Sequence, residues 1–284
     1  MTPMSGALDW LAVGDIAEER GAGSQATIGG SAGRLVVHAA ALKASIAVVG
    51  KVGDDQAGRQ LREALSRLNV DLRWLRSTPG VPTTVWSGRD GDPTERRVER
   101  GADLGLRLDE LPPRSVAAAL TVVSGFSLSV EPARSAAMGA LSSASARGGR
   151  SALLVEAALL WSTNARMTRR VLEPALAVSD SVALSAADAK ILFGPIPGRH
   201  VVRLVGELGP RVVYLTQADG SVLVREAGRI HTFPAAARER TVPDPVAAPA
   251  AFWVGLAHRQ TVGKAAEASL RYASARRPSP AGRR

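Results

Sequence analysis

The 284-residue chain contains no cysteine, which excludes disulfides, thiolate metal sites and a cysteine nucleophile. It has no continuous apolar run of the roughly 18 to 20 residues that a bilayer-spanning helix needs. Its start, MTPMSGALDW, has no basic region ahead of an apolar stretch, so the expectation is a soluble, cytoplasmic protein without a membrane partner. Lysine is scarce (Lys43, Lys51, Lys190 and Lys264), and the positive surplus is arginine in an alanine-rich chain, a bias that genome composition alone produces. No G-x-x-x-x-G-K-[ST] and no G-x-G-x-x-G after the first strand occurs, so the common nucleotide fingerprints are missing. His38, His200, His231 and His258 show no metal-ligand spacing and read as structural or solvated; no metal site is expected.

What is present is 45% apolar residues, enough for one large core, and a formal charge of +10. A charge of that size invites a nucleic-acid reading through counterion release. Its distribution weakens the idea, because RYASARRPSPAGRR carries five arginines and no acid, so half of the surplus sits in the last 14 residues. This stretch reads as a basic, disordered tail over 271–284.

Apolar runs alternate with helical patterns along the rest. Leu8 to Val13, Ser45 to Gly50, Leu120 to Ser124, Arg150 to Val155, Ser181 to Leu184, Arg211 to Leu215 and Ser221 to Arg225 read as strands. Helices are expected over Ala32 to Leu42, Gln56 to Leu68, Arg134 to Ala146, Arg166 to Ala177 and Pro249 to His258. This alternation builds an α/β domain with a mainly parallel sheet covered on both faces. Two segments, near 15–28 and 72–100, break the pattern with short β-type runs and Gly-Asp and Asp-Pro turns, and could form a small β lid over the carboxyl ends of the strands. Trp74 and Trp86 fall in the second of these, where they could meet a ligand or a second copy; Trp161, Phe252 and Trp253 read as core. Asp54 and Asp55 read as a turn and a helix cap before Gln56.

A set of short motifs gives this architecture an identity. Gly29-Gly30-Ser31-Ala32-Gly33 opens a helix; Val49-Gly50-Lys51-Val52-Gly53-Asp54-Asp55, Pro82-Thr83, Gly101-Ala102-Asp103 and Ser124-Gly125-Phe126 follow in order. The stretch Asp180 to Gly194 and the segment VPDPVAAPAAFWVGL (Val242 to Leu256) complete the series. In this order the motifs resemble the ribokinase-like (PfkB) carbohydrate kinases over about residues 8 to 258. The resemblance implies a ribokinase-like α/β domain over 1–270 with a mainly parallel central sheet flanked by helices, a small β lid, ATP-dependent phosphoryl transfer to a sugar hydroxyl, and a possible homodimer through paired lids.

The same resemblance exposes departures. The family's Gly-Ala-Gly-Asp, which supplies the catalytic base and an anion hole, falls on Ala247, Ala248, Pro249 and Ala250. Alanine at 250 accepts no proton, a loss worth about 10² to 10⁴ in rate. Pro249 suits a first helical turn but has no N–H, and removing an anion-hole donor costs about 10² to 10³. Asp244 is the nearest substitute carboxylate, six residues upstream. The family's Asn-x-x-Glu becomes Ser185-Ala186-Ala187-Asp188, and its Thr-x-Gly-x-x-Gly becomes Thr216-Gln217-Ala218-Asp219-Gly220, so the nucleotide-side candidates are Ser185, Asp188, Gln217 and Gly220. On the sugar side the candidates are Gly29, Gly30, Glu19 (near the family's substrate-binding Asp) and Arg34 (at its Asn); Glu19 and Arg34 could bind a polar ligand or simply pair with each other.

Three functions remain open at this point. The favoured one is a catalytically inactive relative, a pseudokinase, that keeps the fold to bind a sugar or nucleoside or to interact with a partner. The second is an active carbohydrate or nucleoside kinase with a non-standard site, and only then is Mg-ATP expected as cofactor. The third is a nucleic-acid-associated protein acting through the arginine-rich tail.

Overall fold

The computed structural model describes residues 7–20, 27–88, 97–157, 165–235 and 244–275. Its centre is a nine-stranded sheet made of β1 (Leu8–Val13), β4 (Ile46–Gly53), β5 (Asp71–Thr78), β8 (Ala118–Ser124), β9 (Arg150–Leu154), β10 (Ser181–Ser185), β11 (Val212–Thr216), β12 (Val222–Glu226) and β13 (Arg229–Phe233). The order is β13-β12-β11-β10-β9-β8-β1-β4-β5, with every strand parallel except β12, which is antiparallel to both β11 and β13. β1 lies inside the sheet, between β8 and β4, which is why LDWLAV is apolar apart from Asp9, whose carboxylate accepts from Ser45 N at 2.8 Å.

Side-chain alternation sends β1 into two cores. Trp10 and Ala12 join the layer under α1 (Ser31–Ala41), α2 (Gln56–Arg67), α7 (Ala247–Ala257) and α8 (Val262–Ala275). Leu11 and Val13 join the opposite layer under α3 (Ala133–Ser142), α4 (Ala165–Ala177), α5 (Ala186–Phe193) and α6 (Gly198–Glu207). Helix α7 is apolar on every side and buried from Ala247 through Leu256, which makes it a core helix rather than a surface one. Trp253 anchors it: its ring meets Trp10 edge-on at 6.5 Å, and its indole N–H donates to Ser181 Oγ at 2.9 Å.

A second, four-stranded sheet of β2 (Ala17–Arg20), β3 (Thr27–Gly29), β6 (Val85–Ser87) and β7 (Arg97–Glu99) has the order β3-β2-β6-β7, with only the β2–β6 pair parallel. It occupies the lid position expected from the sequence, with one difference of extent. Residues 71–78 belong to the main sheet as β5, where an edge strand half-buries Leu72 and Trp74 and blurs the burial pattern. Trp86 is buried beneath the lid, 5.1 Å from the Phe126 ring, so it packs lid to body. At the C-terminal end, the tail expected from 271 begins inside α8, whose helix runs to Ala275; residues 276–284 and Trp161 lie outside the described residues. Helix α6, strand β13 and helix α8 were not expected from the sequence, although α6 buries Val201, Val202 and Val205 at helical spacing.

Candidate functional site

The motifs in the first half of the chain have clear physical work. Asp55 caps α2, its Oδ1 accepting from Gly58 N at 2.8 Å, as the sequence suggested. The same carboxylate accepts from Thr83 N at 2.8 Å and Thr83 Oγ1 at 2.6 Å, while Thr83 Oγ1 accepts from Gly53 N at 2.9 Å. These donors overcome the cost of burial and hold Asp55 below the usual carboxylate range. Gly101 lies so close to Pro82 that a Cβ would overlap the Pro82 carbonyl oxygen, and Ala102 N donates to that oxygen at 2.9 Å. Asp103 accepts from Gly101 N and Thr84 Oγ1 and pairs with Arg100 at 2.5 Å. Val-Gly-Asp-Asp, Pro-Thr and Gly-Ala-Asp thus form the joint that ties the lid to the main sheet.

At the carboxyl end of β1 a buried carboxyl cluster assembles, which the sequence reading missed. Asp15 Oδ2 accepts from Ser31 N at 2.7 Å at the start of α1, and Asp15 Oδ1 accepts from Ser124 Oγ at 2.7 Å. Gly30 sits at φ 75°, where a Cβ would come within 2.6 Å of the Asp15 carbonyl oxygen, and a Cβ on Gly29 would come within 2.5 Å of the Glu19 Cβ. The Gly-Gly pair is required by this close approach. Glu156, just beyond β9, faces Asp15 across Ser124: its Oε2 lies 3.2 Å from both Ser124 Oγ and Phe126 N, and its Oε1 accepts from Ser31 Oγ. Ser124 has one hydroxyl proton to offer two carboxyl neighbours, an arrangement that favours a proton on one of them. Burial, partly offset by its hydrogen bonds, raises Asp15 to about 6; burial and then the Asp15 charge raise Glu156 to about 8. The available signal was positional: each is a lone acid immediately after an apolar strand, at the edge where open α/β sheets bind ligands.

Beside this cluster Arg34 projects from the second turn of α1. Its Nη2 donates to Asp244 Oδ1 at 2.6 Å, whereas Glu19 Oε2 is 3.9 Å from Nε. The expected Glu19–Arg34 pair exists, and it is the weaker of Arg34's two contacts. Asp244 Oδ2 also accepts from His38 Nε2 at 2.9 Å, and the other ring nitrogen faces Tyr272 Oη at 3.1 Å. The His38 hydrogen bond and the Arg34 charge outweigh burial and hold Asp244 well below the usual carboxylate range. The two carboxylates in turn outweigh the burial of Arg34 and keep its guanidinium above its ordinary value. His38, taken from sequence as structural or solvated, is structural, and it orients Asp244.

Asp244 also closes the start of α7. Its Oδ1 accepts from Val246 N at 3.0 Å and its carbonyl accepts from Ala247 N at 3.0 Å. Two of the N–H groups that would face an anion at this helix start are therefore engaged internally, and Pro249 in the first turn has none. Ala250 is fully buried, with its N–H on Val246 O at 3.0 Å.

On the other side of the same sheet edge, Ser185 and Asp188 form a closed capping box at α5: Ser185 Oγ accepts from Asp188 N at 3.1 Å, and Asp188 Oδ2 accepts from Ser185 N at 2.9 Å and Ser185 Oγ at 2.6 Å. Gln217 bridges its own turn, donating from N to Ser221 O at 2.8 Å and from Nε2 to Ser221 Oγ at 2.6 Å; Gly220, at φ 81°, donates to Gln217 O at 3.0 Å. The adjoining cavity, between Lys190, Ile196, Gly198 and Gln217, measures about 180 Å³, below the roughly 300 Å³ at which small-ligand pockets begin. Among the described residues no cluster of three or more acids or histidines could hold a metal ion.

The sheet order, the lid and the polar cluster of Asp15, Arg34 and Asp244 beside the start of α7 make up the architecture of a ribokinase-like protein. The pfkB family carbohydrate kinase model matches residues 14–276, and the chain belongs to that family. It is 31% identical to a fructokinase of Klebsiella pneumoniae over 236 residues, covering 80% of this chain and 75% of that one. A fructokinase of Escherichia coli is 27% identical over 211 residues, covering 72% of this chain and 68% of that one. Among solved structures, Salmonella enterica aminoimidazole riboside kinase, complexed with aminoimidazole riboside and an ATP analog, superposes with a TM-score of 0.82 at 19% identity, over 93% of this chain and 92% of that one. Vibrio cholerae fructokinase with fructose, ADP and calcium ion reaches 0.79 at 19% identity, over 93% of this chain and 90% of that one. These confirm the ribokinase-like α/β fold. No helix among the described residues is long and apolar enough to cross a membrane.

Proposed function

We propose that this family member has lost phosphoryl transfer and acts as a binding or interaction module that takes a sugar or nucleoside beneath its lid. The observation that carries the reading is the start of α7: a buried Ala250 stands at the family's base position, and Asp244 draws the neighbouring N–H groups inward. Asp244 is a poor substitute base, because a carboxylate stabilised by Arg34 and His38 has low proton affinity. The groups that would organise Mg-ATP do not fit it either: Asp188 is engaged in its capping box and Gln217 fills the turn where the family has glycine. The sugar side is different. Asp15, Glu19, Arg34 and Glu156 still gather donors and acceptors around the end of β1, a set suited to hydroxyls.

Thermal melting with Mg-ATP, fructose and a nucleoside tests this. The expected result is a rise in midpoint with fructose or the nucleoside, none with Mg-ATP, and no ADP formation in their presence. ADP production above background that depends on the sugar overturns the proposal in favour of an active fructokinase-like enzyme using Mg-ATP. Pairing of lids into a homodimer is a further part of the proposal and is read out by sedimentation equilibrium. Oligonucleotide binding lost on removing residues 271 to 284 would instead support the tail as a nucleic-acid contact.

A further inference from the structure

Asp15, Glu156, Arg34 and Asp244 gather at the carboxyl ends of the parallel strands. A cavity of about 360 Å³ opens at the opposite edge, where β9, β10 and β11 begin and β12 ends. Arg150, Arg211 and Arg225 line it, and among the described residues none of them has a carboxylate within 4 Å. Arg225 reaches only the Pro210 carbonyl, at 3.4 Å. Its place is made by Gly206 of α6, where a Cβ would overlap the guanidinium. The acids at the same cavity are Glu226 and Asp180, and Asp180 already accepts from Ser151 N at 2.8 Å and Ser151 Oγ at 3.1 Å. Three guanidiniums against two carboxylates leave one net positive charge over an apolar floor of Leu120 and Leu256.

From this we infer a second ligand site, distinct from the family's catalytic edge, that binds a small phosphorylated polyhydroxy compound. Guanidiniums without a carboxylate partner present planar donors to phosphate oxygens. Glu226 and the backbone carbonyls of the rim accept from hydroxyls, and the volume matches a monosaccharide phosphate. The floor connects the cavity to the core. Leu256 closes the last turn of α7, and Ser181 at the cavity wall accepts the Trp253 indole N–H at 2.9 Å. Occupancy at this edge therefore touches the same helix whose other end forms the altered anion hole, and Trp253 reports on it.

The test is isothermal titration with glucose 6-phosphate, inorganic phosphate and glucose, alongside Trp fluorescence. The expected order is glucose 6-phosphate at least about tenfold tighter than either fragment, with a Trp253 signal that the Trp253→Phe variant lacks. The double variant Arg150→Gln/Arg211→Gln changes exposed side chains only and is expected to weaken glucose 6-phosphate about 100-fold, roughly tenfold per arginine. Gly206→Ala, which favours the helix but displaces Arg225, should weaken it about tenfold. Glu156→Gln at the other edge should leave it unchanged. Wild-type affinity in the double variant, or loss in Glu156→Gln alone, would place the ligand elsewhere and overturn the site. Equal affinity for inorganic phosphate would overturn the polyhydroxy assignment.

Discussion

Raising the pH from 5 to 9 should destabilise this protein, and the carboxyl pair Asp15 and Glu156 sets the size of the effect. Ser124 Oγ lies 2.7 Å from Asp15 Oδ1 and 3.2 Å from Glu156 Oε2, so the folded state keeps a carboxyl proton that the unfolded chain releases. Glu156 binds its proton up to about 8 when folded and to 4.5 when unfolded; Asp15 follows the same direction, about 6 against 3.8. Between these values the folded state holds more protons, so the pair's contribution is full below pH 3.8 and is lost as pH climbs through 8. The Asp244 carboxylate has the opposite sign, its contribution being lost only as pH falls below the ordinary Asp range, outside this window. For one strongly retained proton the change is on the order of 3 to 5 kcal/mol, equivalent to roughly 10 °C in melting temperature. Glu156→Gln keeps the shape, an acceptor for Phe126 N–H and a donor toward Ser31, and removes the group with the larger shift, while Asp15 stays raised by its own burial. Urea unfolding midpoints at pH 5, 7 and 9 are the assay: the wild type should lose stability steadily, whereas the variant should keep only the smaller loss due to Asp15, complete by about pH 7. An identical slope in both proteins, or a wild type that gains stability toward pH 9, refutes the shared proton.

Three further outcomes follow from the same contacts. Asp244→Asn removes the anion between Arg34 and His38 and should cost about 3 kcal/mol in chemical denaturation, because Arg34 is left without its close partner. Ala250→Asp restores the missing base in name only; it buries a carboxyl in a fully enclosed position, so a loss of about 2–4 kcal/mol without any sugar-dependent ATP turnover is expected, measured by melting and by ADP release. Gly101→Ala forces a Cβ onto the Pro82 carbonyl oxygen and should lower stability by about 2 kcal/mol or more, with faster proteolysis of the lid than of the main sheet.

Much of the fold was legible in the residues because the physical signals are local. The strands β1, β4, β8 and β10 are short apolar runs, and α2 announces itself through the Asp55 cap and its spaced leucines. Helix α6 and strand β13 were harder, since Pro197 and Gly198 at the helix start mimic a loop and β13, an edge strand, is mostly exposed. Lid extent was misjudged for the same reason: Asp71–Thr78 pairs only along β4, so its alternation is weak.

The site divides along the same line. Sequence alone determined what is chemically missing at the start of α7, because no arrangement gives alanine a proton acceptor or proline an N–H. It also determined the frame of motifs that fixes the family. Only the tertiary structure decided where the remaining charges go. Asp15 and Glu156 are 141 residues apart, and Arg34 and Asp244 are 210 residues apart; each pair meets because parallel strands and their following helices deliver side chains to one edge of the sheet. Whether an acid there is a free ligand, a shared-proton partner or a helix cap depends on burial and on its donors, and those are set by chain segments that no local pattern connects.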